Sequence, residues 1–256
     1  MSARPAVLRD DPWAQRLLRE LGTLPGSCWE WIETRGKVLK VDPYRGAALL
    51  ELEGESCFVK LYRPRSWLHG RILRSGAGRP RRSQDAARNL LRAAVRVPKP
   101  RGCLWVGESV LTLAQGLAGA VELQLSWSAA PASPVRGELM MAAAESLARL
   151  HGSGFSHGDC KWNNLLWYEG GVYLVDLDAV RSSPPGSRRQ ARDLARFTLN
   201  AEELAVAPED YEVFLTAYFS SLGIPREKTL AHMLPELQKL RSRHRHRYGE
   251  IGRPLW

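Results

Sequence analysis

The segment His157–Val180 contains the side chains of this chain whose types and spacing could do chemistry. Asp159 and Asn164 precede the apolar run LLWY, and Asp176 follows a second apolar run after an EGG turn. Two such runs around a turn predict a β-hairpin, which would bring Asn164 and Asp176 to the same end. Carboxylate and amide oxygens that meet there suit Mg²⁺, and phosphate oxygens commonly complete such a site. Phosphoryl transfer needs this metal site, a base that orients the attacking hydroxyl, and a lysine that holds charge.

Two short motifs in this segment resemble those of kinases. HGDCKWNN, residues 157–164, resembles the H-x-D-x-x-x-x-N catalytic loop, and its second-place glycine is similar to the small-molecule and atypical kinases. VDLD, residues 175–178, resembles the D-F-G segment with its glycine replaced, a form common among non-protein kinases. A helix is predicted before the loop and a hairpin after it, and this context makes a chance match much rarer.

The resemblance implies a role for each polar residue. Asp159 would be the catalytic base, and Asn164 and Asp176 would hold magnesium. Lys161 would contact the transferred phosphate. Supporting roles fall to His157, which would brace the loop, and to Asp178, which is either a second metal-site acid or a loop anchor.

The N-terminal part has the pattern of a strand-rich, nucleotide-binding lobe. From Trp29 to Tyr62, short β-prone runs separated by turn-like segments predict an antiparallel meander. Lys60 lies on the last predicted strand, as a nucleotide-binding lysine would. The chain has no G-x-G-x-x-G, and Gly46 stands where a phosphate-covering turn would be. Asp85 is the one acid that the predicted helix at 83–95 offers to Lys60, although Ser83 lies nearer the expected place.

The C-terminal part is predicted to be mostly helical. After a connection at residues 116–135, a helix is expected over 137–154, with further helices following the hairpin. A β-rich part followed by an α-rich part predicts an α+β fold of two lobes, similar to that of protein kinases. We expect the N-terminal lobe over residues 1–115 and the C-terminal lobe over 116–256.

The net charge of +10 is concentrated in one segment. Residues 60–101 contain thirteen Lys and Arg residues and one acid, which is far from a mixed surface. Such a concentration points to an anionic partner, and the excess of arginine favours bidentate phosphate recognition. The alternative is a merely solvated face. The four cysteines form no CxxC pair, and we find neither a secretory signal nor a membrane span, so a cytoplasmic protein with reduced, mostly buried thiols is expected.

Over most of residues 50–250 the chain resembles the lipopolysaccharide core kinases, which phosphorylate heptose or Kdo of the inner core. The shared features are FVKLYR, LARLHGSGFSHGD, VYLVDLDA and RRQARDLARF. The resemblance implies ATP and Mg²⁺ as cofactors and an anionic glycolipid substrate, with peripheral contact at the cytoplasmic face of the inner membrane. It also implies that Asp193 buttresses the catalytic loop by hydrogen bonds. The residues expected to bind core phosphates or lipid headgroups are Arg79, Arg81 and Arg82.

Other functions remain open at the level of sequence. The acceptor could be a protein side chain or a small soluble molecule, which keeps the kinase chemistry. A pseudokinase that only binds a glycolipid or a partner is favoured by the missing glycine-rich loop and disfavoured by the intact Asp159, Asn164 and Asp176. A nucleic-acid binder is disfavoured, because no motif accompanies the basic C-terminal run. The sequence carries no signal for an oligomeric state.

Overall fold

The computed structural model describes residues 6–7, 12–22, 28–75, 78–130, 134–250 and 252–256. These residues form two units. The first unit consists of the described residues as far as Arg88 and of Pro98–Ala118, and the second consists of Asn89–Val97 and of those from Gly119 onwards. The predicted boundary after residue 115 lies close to Ala118. The sequence prediction places Asn89–Val97 in the N-terminal lobe, whereas this short segment belongs to the second unit.

A six-stranded antiparallel sheet in the order β1-β5-β6-β4-β3-β2 is the centre of the first unit. In β4 the side chains of Cys57, Val59 and Leu61 are buried, and Lys60 points to the opposite face. This alternation is expected for a strand with one face in the core. The strands are β1 (Ala6–Val7), β2 (Gly36–Asp42), β3 (Arg45–Leu52), β4 (Glu55–Tyr62), β5 (Pro100–Val106) and β6 (Ser109–Gln115).

Within the described residues of this unit, four helices accompany the sheet. They are α1 (Pro12–Gly22), α2 (Cys28–Arg35), α3 (Trp67–Arg74) and α4 (Arg79–Arg92), which runs into the second unit at Asn89. The core of the unit includes Leu17 of α1 and Ile32 of α2. The strand pattern predicted from Trp29 is therefore wrong as far as Arg35. The aromatic residues there have a high strand propensity, but packing of α2 against β3 outweighs it.

The second unit is mostly helical. Its helices are α5 (Leu123–Ala129), α6 (Val135–Gly152), α7 (Arg188–Glu203), α8 (Pro208–Leu222) and α9 (Arg226–Tyr248). α6 packs on α8 and α7 packs on α9, and the ring centroids of Phe197 and Phe214 stack 4.2 Å apart between α7 and α8. The connection predicted at 116–135 instead contains α5, whose Leu123 and Trp127 are buried. In the described ranges, none of the helices has the length and apolar character that crossing a bilayer requires.

The predicted hairpin is present in the second unit. β9 (Leu165–Tyr168) pairs with β10 (Gly171–Leu174), and a third short strand, β7 (Val121–Glu122), joins β9. The turn residues Glu169 and Gly170 have φ values of +47° and +70°, as in the tight turn whose twist matches that of paired strands. Two further short strands pair with each other: β8 (Phe155–Ser156) precedes the hairpin segment and β11 (Arg181–Ser182) follows it.

A buried ion pair fixes the C-terminal end of α7. The fully buried carboxylate of Glu202 accepts two hydrogen bonds from Arg241 of α9 and one from the backbone N–H of Leu255, at 3.0 Å. The bond to the carboxylate raises the pKa of the Arg241 guanidinium. These contacts hold α9 and residues 252–256 against the helix that carries Asp193.

We expect the substitution Arg241→Met to lower the free energy of unfolding by about 3–5 kcal/mol, because it leaves the Glu202 carboxylate buried without a counter-charge. Chemical denaturation measures this loss. The control is Arg226→Met, which breaks an exposed pair with Glu212 and should cost at most about 1 kcal/mol. Equal losses in the two variants would contradict the role given to the buried pair.

Candidate active site

The carboxylate of Asp193 holds the beginning of the loop that runs from His157 to Asn164. Its Oδ2 accepts a hydrogen bond from the backbone N–H of His157 at 2.6 Å, and its Oδ1 accepts one from the N–H of Gly158 at 2.8 Å. The Nε2 atom of His151 on α6 lies 3.4 Å from the same Oδ2. Asp193 is fully buried, and hydrogen bonds to an ionised acceptor are stronger than those between neutral groups. The loop therefore begins at a fixed point on α7.

Gly158 is a loop position where any side chain would be strained. Its φ is +82°, a left-handed conformation that favours glycine. A Cβ atom here would lie 2.7 Å from the carbonyl oxygen of Ala179 and 2.9 Å from its Cβ. The close approach of these two segments thus explains why a small residue follows the histidine of the loop.

His157 connects the loop to the segment that contains Asp176. Its Nδ1 accepts a hydrogen bond from the N–H of Asp159 at 3.3 Å, so the proton belongs on Nε2, which donates to the carbonyl of Val175 at 3.0 Å. One neutral tautomer satisfies both contacts. Burial lowers the pKa of the imidazole and so favours this neutral form.

Asn164 and Asp176 stand at the same end of the hairpin. The N–H of Val175 donates to the carbonyl of Asn164 at 3.0 Å, which places Asp176 one residue beyond this bond. The Asn164 side chain donates from Nδ2 to the backbone carbonyl of Asp159 at 2.9 Å, so its oxygen is the atom left for a cation. Asp176 has left-handed backbone angles, φ +57° and ψ +55°, a conformation that costs a non-glycine residue on the order of 1 kcal/mol or more.

The Asp159 carboxylate lies between two cations. Its Oδ1 is 3.0 Å from Nη1 of Arg196, and its Oδ2 is 3.2 Å from Nζ of Lys161. The side chain of Asp159 is 30% exposed, so the carboxylate is held in place and still reaches solvent. Arg196 is absent from the sequence prediction. The signal that could have found it is its position three residues after Asp193, which puts both side chains on one face of α7.

Trp162 anchors the middle of the loop, a role that the sequence analysis also missed. It is fully buried, and its Nε1 donates to the carbonyl of Phe197 at 3.1 Å. The ring meets Trp127 of α5 edge to face, with centroids 5.9 Å apart. The backbone N–H of Trp162 donates to the side chain of Asn200 at 3.0 Å. The neighbouring Cys160 is buried too, and burial raises the pKa of its thiol, so this cysteine is a packing residue.

The remaining predicted residues of the first unit lie as follows. Lys60 is on β4 with its Nζ 5.3 Å from the Tyr62 ring centroid. Gly46 is on β3, next to the turn after β2, and a side chain there would collide with the ring of Trp29. Asp85 on α4 has ion-pair distances of 3.6 Å to both Arg81 and Arg88. The three arginines predicted to bind anions are all exposed at the start of α4: Arg79, Arg81 and Arg82.

The oxygen donors at the hairpin end fit a magnesium ion that phosphate completes. Within the described ranges, no group of three or more His, Cys, Asp or Glu side chains is arranged to hold a metal by itself. Asn164 and Asp176 offer one amide and one carboxylate oxygen. Mg²⁺ typically takes one or two carboxylates from the protein and draws its other ligands from water and substrate phosphates.

The buried neutral state of His157 predicts a pH dependence of stability. Because its pKa is lowered in the folded protein, the unfolded chain binds the proton first as the pH falls below about 6.5. The free energy of unfolding should then decrease by up to about 1.4 kcal/mol per pH unit from this residue. Denaturation at several pH values should show a shallower decrease in His157→Gln than in the wild type.

The control for this measurement is His246→Gln, which removes an exposed histidine of α9 and should keep the wild-type dependence. A dependence in His157→Gln as steep as that of the wild type would contradict the buried neutral state of His157.

Two of the solved structures with a similar fold are covered by this chain over nearly their whole length. One is "WaaP in complex with acyl carrier protein", with a TM-score of 0.60, 21% identity, and coverage of 93% of this chain and 99% of that chain. The other is "Crystal structure of aminoglycoside-3'-phosphotransferase of type VIII", with a TM-score of 0.56, 16% identity, and coverage of 88% and 98%. The predicted protein-kinase-like fold, with its β-rich and α-rich parts, is thereby confirmed.

Sequence comparison gives the family. No curated protein matches the chain at a significant level. A family model described as "Lipopolysaccharide kinase (Kdo/WaaP) family" matches residues 29–218, which include the whole loop, the hairpin and Asp193. The kinase resemblance inferred from the motifs is therefore confirmed, and the enzyme is a phosphotransferase that acts on a sugar. The chain belongs to the lipopolysaccharide kinase (Kdo/WaaP) family.

Proposed function

We propose that this chain is an ATP- and Mg²⁺-dependent kinase that phosphorylates a heptose or Kdo of the lipopolysaccharide inner core. The observation that carries the proposal is the state of Asp159. Its carboxylate is held by Arg196 and Lys161, and Asn164 binds the same residue, yet the side chain reaches solvent. A base that must meet a sugar hydroxyl needs both a fixed position and access.

Asp159 is the proposed catalytic base. The sugar hydroxyl oxygen attacks the γ-phosphorus of ATP, a new P–O bond forms, and the bond to the leaving ADP oxygen breaks. The hydroxyl proton passes to a carboxylate oxygen of Asp159. In such transfers most of the catalysis is positioning and charge stabilisation, so the fixed loop is the main contribution of the protein.

Charged groups around Asp159 would stabilise the transferred phosphate. Lys161 is half-exposed and close to the base, which supports its assignment to the phosphate oxygens. Asn164 and Asp176 are the residues proposed to hold magnesium, which when bound neutralises phosphate charge. Asp178, next to them, is proposed as a loop anchor or a further acid at the metal site.

The residues of the first unit enter the proposal through the family. Lys60 is proposed to bind the ATP phosphates, with Gly46 near the turn that covers them and Asp85 as a supporting acid on α4. The three exposed arginines at the start of α4, Arg79, Arg81 and Arg82, are proposed to bind anionic groups of the glycolipid. The acceptor lies at the cytoplasmic face of the inner membrane, where we propose that the enzyme acts as a peripheral protein.

We expect Asp159→Asn and Asp176→Asn to abolish phosphate transfer from ATP to isolated inner-core lipopolysaccharide. Loss of the base alone should cost about 10²- to 10⁴-fold in rate. Folding should be retained, as judged by thermal unfolding. The matched control is Glu169→Gln, which neutralises an exposed acid in the turn of the same hairpin. Full transfer activity in either aspartate variant would refute the assignment.

Arg196 is proposed to position Asp159, since the two side chains form an ion pair. Arg196→Gln removes a charged hydrogen bond of about 1.5–3 kcal/mol, so kcat should fall roughly 10- to 100-fold. The KM for the acceptor should change little, because Arg196 acts through Asp159, and Arg196→Lys should recover part of the rate.

The control is Arg192→Gln, one turn earlier on α7, where the exposed arginine pairs with Glu236 of α9. This variant should keep wild-type kinetics. If Arg196→Gln raised KM and left kcat unchanged, Arg196 would be a binding residue and the positioning role would be wrong.

A further inference from the structure

Helix α3 of the first unit exposes a row of large apolar side chains. Trp67, Leu68 and Ile72 are 71%, 62% and 50% exposed, whereas Leu73 is 2% exposed and packs with the core. Along a helix of 3.6 residues per turn, the three exposed residues lie within an arc of about 140°, with Leu73 on the other side. Among the helices of the described ranges, only α3 exposes three such residues. The helix thus buries Leu73 and exposes three other large apolar side chains.

One arginine lies within this exposed face and another lies just before the helix. The Arg71 guanidinium lies 5.3 Å from the ring centroid of Trp67, and that of Arg65, just before the helix, lies 5.0 Å from the ring of the exposed Tyr44. α3 contains no acidic residue, and it belongs to the segment with thirteen Lys and Arg residues and one acid. The face therefore combines apolar bulk with positive charge.

We propose that this face of α3 docks on an anionic lipid surface. A short amphipathic helix with Trp and Leu on one side and arginines beside them is suited to lie in the plane of a membrane interface. The apolar side chains would enter the acyl boundary, and Arg65 and Arg71 would reach the anionic headgroups.

Trp67 is suited to a lipid surface. In the described part of the chain, the indole N–H of Trp67 makes no hydrogen bond, and the guanidinium of Arg71 lies over its ring. Tryptophan is enriched at membrane interfaces, because its ring is apolar while the N–H can reach headgroup oxygens. The proposal deepens the proposed function, on which it rests, by naming the helix that would hold the kinase against the membrane that bears its glycolipid.

The test is sedimentation of the full-length protein with vesicles, without ATP or acceptor. The wild type should bind vesicles of phosphatidylethanolamine and anionic phosphatidylglycerol, and bind neutral phosphatidylcholine vesicles more weakly. The triple variant Trp67→Ser, Leu68→Ser, Ile72→Ser should lose at least about tenfold in affinity, because membrane affinity scales with buried apolar area. Arg65→Gln with Arg71→Gln should weaken binding to anionic vesicles and reduce its sensitivity to salt.

The matched control replaces three exposed apolar residues of the second unit by serine: Leu125, Met141 and Val213. This control should bind as the wild type does. Equal binding by the α3 variant and the control would overturn the proposal. The proposal would also be overturned if the wild type did not bind vesicles. Binding of an acidic protein by α3 in place of vesicles would be such an outcome.

A second readout separates this proposal from the proposed function. Phosphate transfer to a lipid-free core oligosaccharide needs no membrane, so the α3 variant should perform it at the wild-type rate. If the wild type binds vesicles through α3 but transfers no phosphate to core acceptors, the proposed function fails and the docking surface stands. If transfer is normal and vesicle binding is absent, the docking surface fails alone.

Discussion

The hydrogen bonds from two consecutive backbone N–H groups, those of His157 and Gly158, to the buried carboxylate of Asp193 are the constraint on which the site depends. A buried carboxylate is costly unless hydrogen bonds satisfy it, so the loop and the acid stabilise each other. α7 also holds the loop at two later positions. Arg196 contacts Asp159, and Asn200 accepts from Trp162, so one face of one helix, at spacings of three and four residues, holds three successive parts of the loop.

A second set of contacts joins the loop to the acid after the hairpin. His157 donates to the carbonyl of Val175, and Val175 donates back to the carbonyl of Asn164. These hydrogen bonds join the catalytic-loop motif at 157–164 to the VDLD motif at 175–178, although a hairpin separates them in the sequence. Asp176 stands at their junction with left-handed backbone angles, a strain that such a network can maintain and that is common where a side chain must be aimed at a ligand. The proposed metal ligands thus derive their position from backbone bonds rather than from flexible side chains.

Much of the site could be predicted from the chain because its key contacts are local. A turn between two apolar runs predicts the β9–β10 hairpin, and the hairpin brings Asn164 and Asp176 together without knowledge of the rest of the fold. Arg196 and Trp162 were missed for the opposite reason. Their partners are distant in sequence, so Trp162 has no local signal, and the only signal for Arg196 is its helical spacing from Asp193.

The errors in the fold have a similar cause. Residues 29–35 have strand-prone aromatic side chains, yet they form α2, because the core of the first unit receives Trp29, Trp31 and Ile32 from a helix. Residues 116–135 are predicted to be a connection because they belong to a nearly uncharged run rich in Gly, Ala, Ser and Pro, although Trp127 of α5 supports Trp162. In both places tertiary packing outweighs local propensity, which a single sequence cannot reveal.

The most direct measurement of the central claim is a phosphate map of the lipopolysaccharide core, by mass spectrometry, from cells that lack this protein. The account predicts that at least one heptose or Kdo loses its phosphate, and that the wild-type chain restores it whereas a chain without the Asp159 carboxylate does not. A core with unchanged phosphorylation in the absence of the protein would contradict the account.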